Sequence, residues 1–509
     1  MNILDEIVAQ RQKDIAQKSV SLGFEIPHER TRKITPFLPQ KGVILEIKRA
    51  SPSKGDIAPE LNAPETAKIY AEAGAAAISV LTEEHWFKGN LNDLMSVCRA
   101  VDEFSEQTGK TPPAVLRKDF LLSEEEIDVA FRAGADAVLL IARILETENF
   151  VKMAKKCENL GITALIELRL GEDLRKLGEV VKSVSEKSIV CGVNARDLKN
   201  FSTDLLAPAV LLAEIKKIAG EKARVVFESG IRTNEAASFA GSLGFSAMLL
   251  GEAAARNPNK AKNLVASFVG ANETENARRW NEFAQKLQEK RKSGEKKPFV
   301  KICGLTNESD ALKAASLGAD FLGFIFWEKS PRKVNPKDLP KITAALKKAG
   351  LREKVRTVGV IVETDSADAK NAFASLKNDD LDFIQLHGFD CASSLTQKNL
   401  PHYAVVNVSG EEDLQKIDAL RLKGEPRILI DAKIGSQIGG TGERIADLLV
   451  EKVSQKTKLW LAGGITAENA REVIEKFQPE LIDVASGVEK SAGIKDHEKL
   501  ERLFSELGF

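Results

Sequence analysis

The chain is poor in cysteine: its 509 residues contain five, at positions 98, 157, 191, 303 and 391, with no CxxC pair and no spacing that suits zinc. That excludes a disulfide framework as the basis of the fold and leads us to expect a reducing compartment. Charge of either sign is not in excess either, since 74 Lys and Arg balance 74 Asp and Glu. No overall field draws the chain to nucleic acid, an anionic membrane or a polycation, so an anionic ligand has to be gripped locally. No run of about 18 apolar residues is present, so no membrane span is expected. The stretch from Asn2 to Arg11 is charged and amphipathic, with Ile3, Leu4, Ile7 and Val8 at helical spacing. It reads as a helix, not a secretion signal, and a cytoplasmic location is the expectation.

What is present is a series of short apolar runs that stop on reactive residues. In the first half they end at Glu46 and Lys48, Lys118, Glu167, Asn194, and Glu228 with Ser229; in the second, at Cys303, His387, Asp431, and Gly463 with Gly464. A buried parallel strand is an almost unbroken apolar run, and in α/β folds ligands bind beyond the carboxyl ends of such strands. Between the runs one punctuation recurs: an Ala-rich helix end, a glycine and then a strand, as at Gly74, Gly134, Gly244 and Gly318. Eight strands are expected in each half, from about 43 to 250 and from about 299 to 485. Each half is close to the roughly 250 residues of one (β/α)8 barrel. The fold expected is therefore α/β, two tandem (β/α)8 barrels, the first with an extra N-terminal helix. The stretch 272–297 is strongly polar and ends in a basic run, which has no interleaved aromatics for base stacking. The division expected is a first barrel over 1–258, a charged helical linker over 259–297 and a second barrel over 298–509.

In the first half, Glu46 and Lys48 lie two apart on a strand and so share a face, while Lys118 and Glu167 end other strands. Two lysines and two carboxylates converging on one rim suit proton transfer, because dense opposite charge separates the protonation states of neighbouring groups. Ser51-Pro-Ser-Lys-Gly55, Ser229-Gly230 and Gly251 follow the first, seventh and eighth strands. Loops after strands seven and eight of a barrel commonly hold phosphate through backbone N–H groups. A phosphorylated substrate is implied.

In the second half, Cys303 before Gly304 and Asp431 end strands on opposite sides of one expected mouth, a base facing an acid, which suits an isomerisation. His387 is expected to position substrate. Three glycine-rich pieces, Gly439-Gly-Thr-Gly442, Gly463-Gly464 and Ser486-Gly487, offer a second phosphate cradle. Arg332 is the natural clamp for a carboxylate, since its planar fork matches one in bidentate fashion. No metal-ligand spacing is visible in either half.

Several motifs of the first half together resemble indole-3-glycerol-phosphate synthase: Glu46-Ile-Lys-Arg-Ala-Ser-Pro-Ser-Lys-Gly55, Leu81-Thr-Glu with Phe87, Leu116-Arg-Lys-Asp-Phe120, Leu165-Ile-Glu-Leu168, Gly192-Val-Asn-Ala-Arg-Asp-Leu198 and Phe227-Glu-Ser-Gly-Ile231. That resemblance implies ring closure of 1-(2-carboxyphenylamino)-1-deoxyribulose 5-phosphate with loss of carbon dioxide and water. It implies Lys118 as general acid, Glu167 as its partner in dehydration, Glu46 stabilising positive charge and Lys48 at the substrate carboxylate. It further implies that Ser51, Phe87, Phe120, Asn194, Arg196 and Glu228 bind substrate and that Ser229, Gly230 and Gly251 meet the phosphate. Where Asn-Asn-Arg is usual, this chain has Asn194-Ala-Arg196.

The second half resembles phosphoribosylanthranilate isomerase through Phe299-Val-Lys-Ile-Cys-Gly-Leu-Thr306, Ser330-Pro-Arg332, Gln385-Leu-His-Gly388, Ile428-Leu-Ile-Asp431, Gly439-Gly-Thr-Gly442, Ala462-Gly-Gly-Ile465 and Asp483-Val-Ala-Ser-Gly-Val-Glu489. The implied chemistry is an Amadori rearrangement, with Asp431 protonating the ribose ring oxygen and Cys303 removing the proton from the adjacent carbon. Arg332 would hold the anthranilate carboxylate, and Gly440, Thr441, Gly442, Gly463, Gly464, Ser486 and Gly487 the phosphate. Two departures stand near that end: Glu443 follows the glycine-rich piece where an aromatic is common, and Ala485 replaces Asn or Ser. Together the resemblances imply consecutive steps of tryptophan biosynthesis, with no cofactor, no nucleic acid or membrane partner and no obligate protein partner. Two other classes stay open on the residues alone. Lys118 or Lys48 could form a Schiff base of the aldolase kind, and one barrel could be a non-catalytic phosphometabolite-binding module.

Overall fold

The structure, a computed structural model, describes residues 3–169, 171–196, 203–388, 395, 399–432 and 445–508. Two compact units, Met1–Glu273 and Thr274–Phe509, divide the chain. Each contains one closed ring of eight strands, and every pairing within the two rings is parallel. Among the described residues, no helix is long and apolar enough to cross a membrane.

The first ring comprises β1 (Gly42–Ile47), β2 (Ala77–Leu81), β3 (Ala114–Lys118), β4 (Ala137–Ile141), β5 (Thr163–Leu168), β6 (Ile189–Asn194), β7 (Val225–Glu228) and β8 (Ala247–Leu250). The second comprises β9 (Phe299–Cys303), β10 (Phe321–Ile325), β11 (Arg356–Ile361), β12 (Phe383–Leu386), β13 (His402–Val408), β14 (Ile428–Ala432), β15 (Trp460–Ala462) and β16 (Leu481–Val484). These are the apolar runs that the sequence pattern marks as strands. They are buried almost throughout, because a ring of parallel strands is covered by helices outside and filled by side chains inside. Their carboxyl ends form one rim, so a residue that closes a run stands at the mouth.

The amino ends of the strands are closed in two different ways. In the first ring, Ala77, Ala114, Ala137 and Ala247 open their strands with minimal side chains, and buried Phe37 and Leu38 pack into the space this leaves. Arg224 pins that segment by donating from Nη1 to the Phe37 carbonyl at 2.9 Å. In the second ring the opening residues are bulky: Phe299, Phe321, Phe383 and Trp460. A helix laid across them supplies Trp280 and Phe283. The Trp280 ring centre lies 5.2 Å from that of Phe383, and Phe283 lies 5.1 Å from Phe299 and 5.5 Å from Trp460.

The segment 259–297, expected as a helical linker with its charged part over 272–297, contains two α-helices. Helix α2 (Ala261–Val269) packs on the outside of the first ring, and helix α3 (Glu275–Lys292) seals the second. The physical reason is the spacing of Trp280, Phe283, Ala284 and Leu287, which puts one apolar stripe on an otherwise charged helix. At the opposite end of the first unit, helix α1 (Ile3–Lys18) crosses the mouth and is held there by buried Arg11. Its Nη2 lies 3.0 Å from Asp119 and 2.7 Å from Glu126.

Candidate active sites

A cavity opens at the carboxyl rim of the first ring. Its walls include Glu46, Lys48 and Ser51 after β1, Phe87 after β2, Lys118 and Phe120 at β3, and Glu167 at β5. Asn194 and Arg196 follow from β6, Ser229 and Gly230 from β7, and Gly251 from β8. Glu228 stands immediately beneath them. Lys118 Nζ is 3.0 Å from Glu46 and 3.6 Å from Glu228, and Lys48 Nζ is 3.3 Å from the other oxygen of Glu46. The register explains the gathering, since Glu167 pairs with Gly192 and Asn194 with Glu228 across adjacent strands.

Two glycines make room for the carboxylates. A methyl at Gly192 would stand 2.2 Å from Glu228 Oε1, and one at Gly251 would stand 2.6 Å from Glu46 Oε1. Ser229 and Gly230 are both left-handed, at φ 72° and 84°. For serine this conformation costs on the order of 1 kcal/mol and orients the N–H groups of the turn.

Electrostatics separates the acids. Burial works against a charged Glu46, but Lys118 and Lys48 prevail and hold its pKa down to about 2. Burial pushes Glu228 the other way, to about 7, with the Lys118 charge opposing and Glu167 and Glu46 reinforcing. Burial also opposes the Lys118 cation, yet Glu46, Glu228 and Glu167 raise its pKa above the ordinary lysine value. The cluster thus holds a committed cation, a committed anion and a carboxyl able to change state near neutrality.

Phe87 and Phe120 lie 6.0 Å apart between ring centres, with Lys48 5.3 Å from the centre of the Phe87 ring. The loop carrying Phe87 is organised by Glu83, whose carboxylate accepts the backbone N–H groups of His85, Trp86 and Phe87 at 2.8–3.0 Å. Arg143, Arg169, Arg232 and the apolar face of α1, through Ile3, Leu4 and Ile7, also line the cavity. The sequence motifs did not bring these out. Arg143 and Arg169 each follow a strand end closely, which was the available signal.

The second ring has a cavity at its own carboxyl rim, lined by Cys303, Arg332, His387, Asp431, Gly463, Gly464 and Ser486. Gly487 lies behind this lining and is needed for contact, since a methyl there would stand 2.1 Å from the Ile465 carbonyl. Gly440, Thr441 and Gly442 fall outside the described residues.

One layer below is a group that sequence reasoning passed over. Fully buried Lys301 lies 2.5 Å from Asp483 and donates to Gln385 Oε1 at 2.7 Å. Tyr403 donates to the same oxygen at 2.8 Å, and the Gln385 amide nitrogen lies 3.1 Å from His387 Nε2. Burial raises the Cys303 thiol, with Lys301 pulling it back. Burial and the charge of Asp483 lift Asp431 to about 6. His387 is lowered to about 4 by burial and by Lys301, so it is neutral at pH 7. A charged residue in an apolar run, as in Val300-Lys-Ile-Cys303 and Leu481-Ile-Asp-Val484, was the signal for the hidden pair.

Comparison with known proteins adds to this geometry. The profile of the indole-3-glycerol phosphate synthase family matches residues 4–266, and that of N-(5'-phosphoribosyl)anthranilate (PRA) isomerase matches residues 300–506. The chain is 32% identical to the tryptophan biosynthesis protein TrpCF of Vibrio parahaemolyticus, covering 91% of this chain and 83% of that one. It is 29% identical to the multifunctional tryptophan biosynthesis protein of Schizosaccharomyces pombe, over 99% of this chain and 66% of the longer fungal protein. Among solved structures, the phosphoribosyl anthranilate isomerase of Thermotoga maritima is 30% identical and covers 42% of this chain and 98% of its own, with a TM-score of 0.36.

Proposed function

Since the chain belongs to the family that joins an indole-3-glycerol phosphate synthase to a PRA isomerase in one polypeptide of tryptophan biosynthesis, we propose which residues carry each of its two steps. The second unit isomerises N-(5-phosphoribosyl)anthranilate to 1-(2-carboxyphenylamino)-1-deoxyribulose 5-phosphate. The first unit closes, decarboxylates and dehydrates that product to indole-3-glycerol phosphate.

In the isomerase, Asp431 protonates the ribose ring oxygen so that the ring opens to a Schiff base. A carboxyl lifted to about 6 keeps a proton available at a pH where an ordinary aspartate has lost it. Cys303, as the thiolate that Lys301 beneath it favours, then takes the proton from the adjacent carbon and becomes the thiol. Arg332 grips the anthranilate carboxylate, His387 positions substrate as a neutral group, and the turns at Gly463, Gly464, Ser486 and Gly487 receive the phosphate, with 440–442 assigned to the same task.

In the synthase, the substrate carbonyl comes to Lys118, which donates its proton as the ring carbon attacks. Glu167 exchanges the proton for dehydration, Glu46 faces the positive charge that develops, and Lys48 meets the carboxylate that leaves as carbon dioxide. Phe87 and Phe120 flank the aromatic ring. Ser51, Asn194, Arg196 and Glu228 orient the chain, and Ser229, Gly230 and Gly251 receive the phosphate.

The observation that carries the synthase half is the ion-paired Lys118 with acids on both sides. A lysine held as a cation offers no lone pair for an imine, which disfavours the Schiff-base alternative. The substrates are small phosphorylated anthranilate derivatives, and the four described cysteines, all free thiols, support a reducing, cytoplasmic setting.

The test is to feed phosphoribosylanthranilate to the chain and follow indole-3-glycerol phosphate, and then to assay each step separately, the synthase on 1-(2-carboxyphenylamino)-1-deoxyribulose 5-phosphate and the isomerase by loss of phosphoribosylanthranilate. Cys303→Ala and Asp431→Asn should each lower only the isomerase, and Lys118→Ala and Glu167→Gln only the synthase, by about 10²–10⁴-fold. Loss of both activities from any one change in a folded chain would refute the assignment.

A further inference from the structure

The assignment of Arg332 to the substrate carboxylate leaves open what aims its guanidinium. Beyond β16 the chain forms a small hairpin, β17 (Glu489–Ser491) with β18 (Ile494–Lys495), in which Glu489 pairs with Lys495. Both side chains turn inward. The Glu489 carboxylate takes the Arg332 fork side-on, with Nε at 3.1 and 3.0 Å from its two oxygens and Nη2 at 3.0 Å. The Lys495 side chain is fully buried and directs its ammonium to three acceptors: Glu489 Oε1 at 2.9 Å, the Cys303 carbonyl at 2.6 Å and the Ala485 carbonyl at 3.0 Å.

The packing around this group is equally committed. A methyl at Gly304 would stand 2.9 Å from Arg332 Cδ, so the glycine after Cys303 makes room for the arginine stem. The hairpin turn is fixed by Gly493, at φ 79°, whose N–H reaches Glu489 Oε1 at 3.3 Å and whose carbonyl accepts from Thr306 at 2.6 Å. One cluster therefore connects the arginine, in the loop after β10, to the backbone of Cys303 at the end of adjacent β9. Its formal charges, two cations and one anion, leave a single positive charge, which matches one substrate carboxylate. An arginine side chain has several rotatable bonds, and a bidentate anchor at Nε and Nη2 removes that freedom before substrate arrives.

We propose that Glu489 and Lys495 are positioning residues of the isomerase: they aim the Arg332 fork at the substrate carboxylate and fix its distance from Cys303. Neither side chain needs to touch substrate. The proposal rests on the reading of Arg332 as the carboxylate clamp.

The test uses the full chain and measures KM and kcat for phosphoribosylanthranilate, competitive inhibition by inorganic phosphate at the other end of the site, and synthase activity as an internal measure of folding. Arg332→Ala sets the scale. Glu489→Gln should raise KM about tenfold with little change in kcat, phosphate inhibition or synthase activity, and Lys495→Met should act in the same direction. In an Arg332→Ala background, Glu489→Gln should add nothing, since there is no fork left to aim. An unchanged KM in Glu489→Gln and Lys495→Met, where Arg332→Ala raises it, would overturn the proposal. Effects that multiply in the double variant would do so too, as would a loss shared by KM, kcat and phosphate binding. An unchanged KM in Arg332→Ala would instead overturn the clamp itself, and the proposal with it.

Discussion

In the first barrel the charged groups meet at the mouth, where Lys48, Glu46, Lys118 and Glu228 form a chain of ion pairs with successive separations of 3.3, 3.0 and 3.6 Å. In the second, Lys301 pairs with Asp483 beneath Cys303, Arg332 and Lys495 pair with Glu489 beside it, and the two groups assigned to proton transfer, Cys303 and Asp431, belong to neither pairing. The floors differ too. The first barrel opens four of its strands on alanine and fills the gap with Phe37 and Leu38, whereas the second opens four on Phe or Trp and is closed by Trp280 and Phe283. One ring can thus carry its charge as a reactive cluster or as a buried support. What decides is the register in which the strands bring lysine and acid together.

The sharpest way to break this comparison is at the floor. A fragment of residues 274–509 should fold and isomerise, while one of residues 298–509 should lose soluble folded protein, as judged by circular dichroism and sedimentation. Deleting a buried Trp or Phe side chain costs about 3–5 kcal/mol each, and two such losses rival the stability of a whole domain. An active 298–509 fragment would show that the helix is dispensable.

Depth of charge gives the next test. Lys301→Met leaves Asp483 buried without its cation and should cost about 3–5 kcal/mol in urea unfolding of the second unit. Lys118→Met should remove synthase activity at a smaller stability cost, because Glu46 retains Lys48 as its cationic partner and Glu228 can take up a proton near neutrality. Equal costs would erase the distinction between reactive and supporting charge.

The smallest effect is in pH. On the roles proposed above the isomerase requires Asp431 protonated and Cys303 ionised, yet Asp431 lies at about 6 and the thiol lies higher. Between these values the gain in thiolate with rising pH offsets the loss of protonated Asp431, so kcat/KM should be level. Below about 6 the carboxyl is already protonated and only thiolate is lost, so activity should fall about tenfold per unit. Above the thiol's own pKa it should fall again. A rate that climbs steadily from pH 6 to 8 would contradict these roles.

Much of this was legible because a strand buried on both faces leaves its carboxyl-terminal residue as the place where polarity is tolerated. Glu46, Lys118, Glu167, Cys303 and Asp431 each declare themselves by ending an apolar run. The Lys301 pair was not legible in the same way. Its partner lies at the far end of the barrel sequence, and the two meet because closure sets β9 beside β16 with Lys301 opposite Asp483. The anchor of Arg332 was hidden for a related reason, since Glu489 and Lys495 lie in a hairpin after the last strand. The sealing helix was hidden by composition. Averaged over 272–297 the segment is polar, and the periodicity of Trp280, Phe283 and Leu287 within it reveals the buried face.

That helix also bears on how the protein is made. A ribosome releases α3 before any strand of the second barrel, yet Trp280 and Phe283 rest against Trp460, on the last strand but one. Phe299, Phe321 and Phe383 emerge earlier, but until Trp460 follows them the aromatic floor around Trp280 and Phe283 is incomplete. Contacts between such distant stretches make assembly slow and leave the half-made chain exposed to aggregation. The second enzyme should therefore be completed late in translation, well after the first has closed.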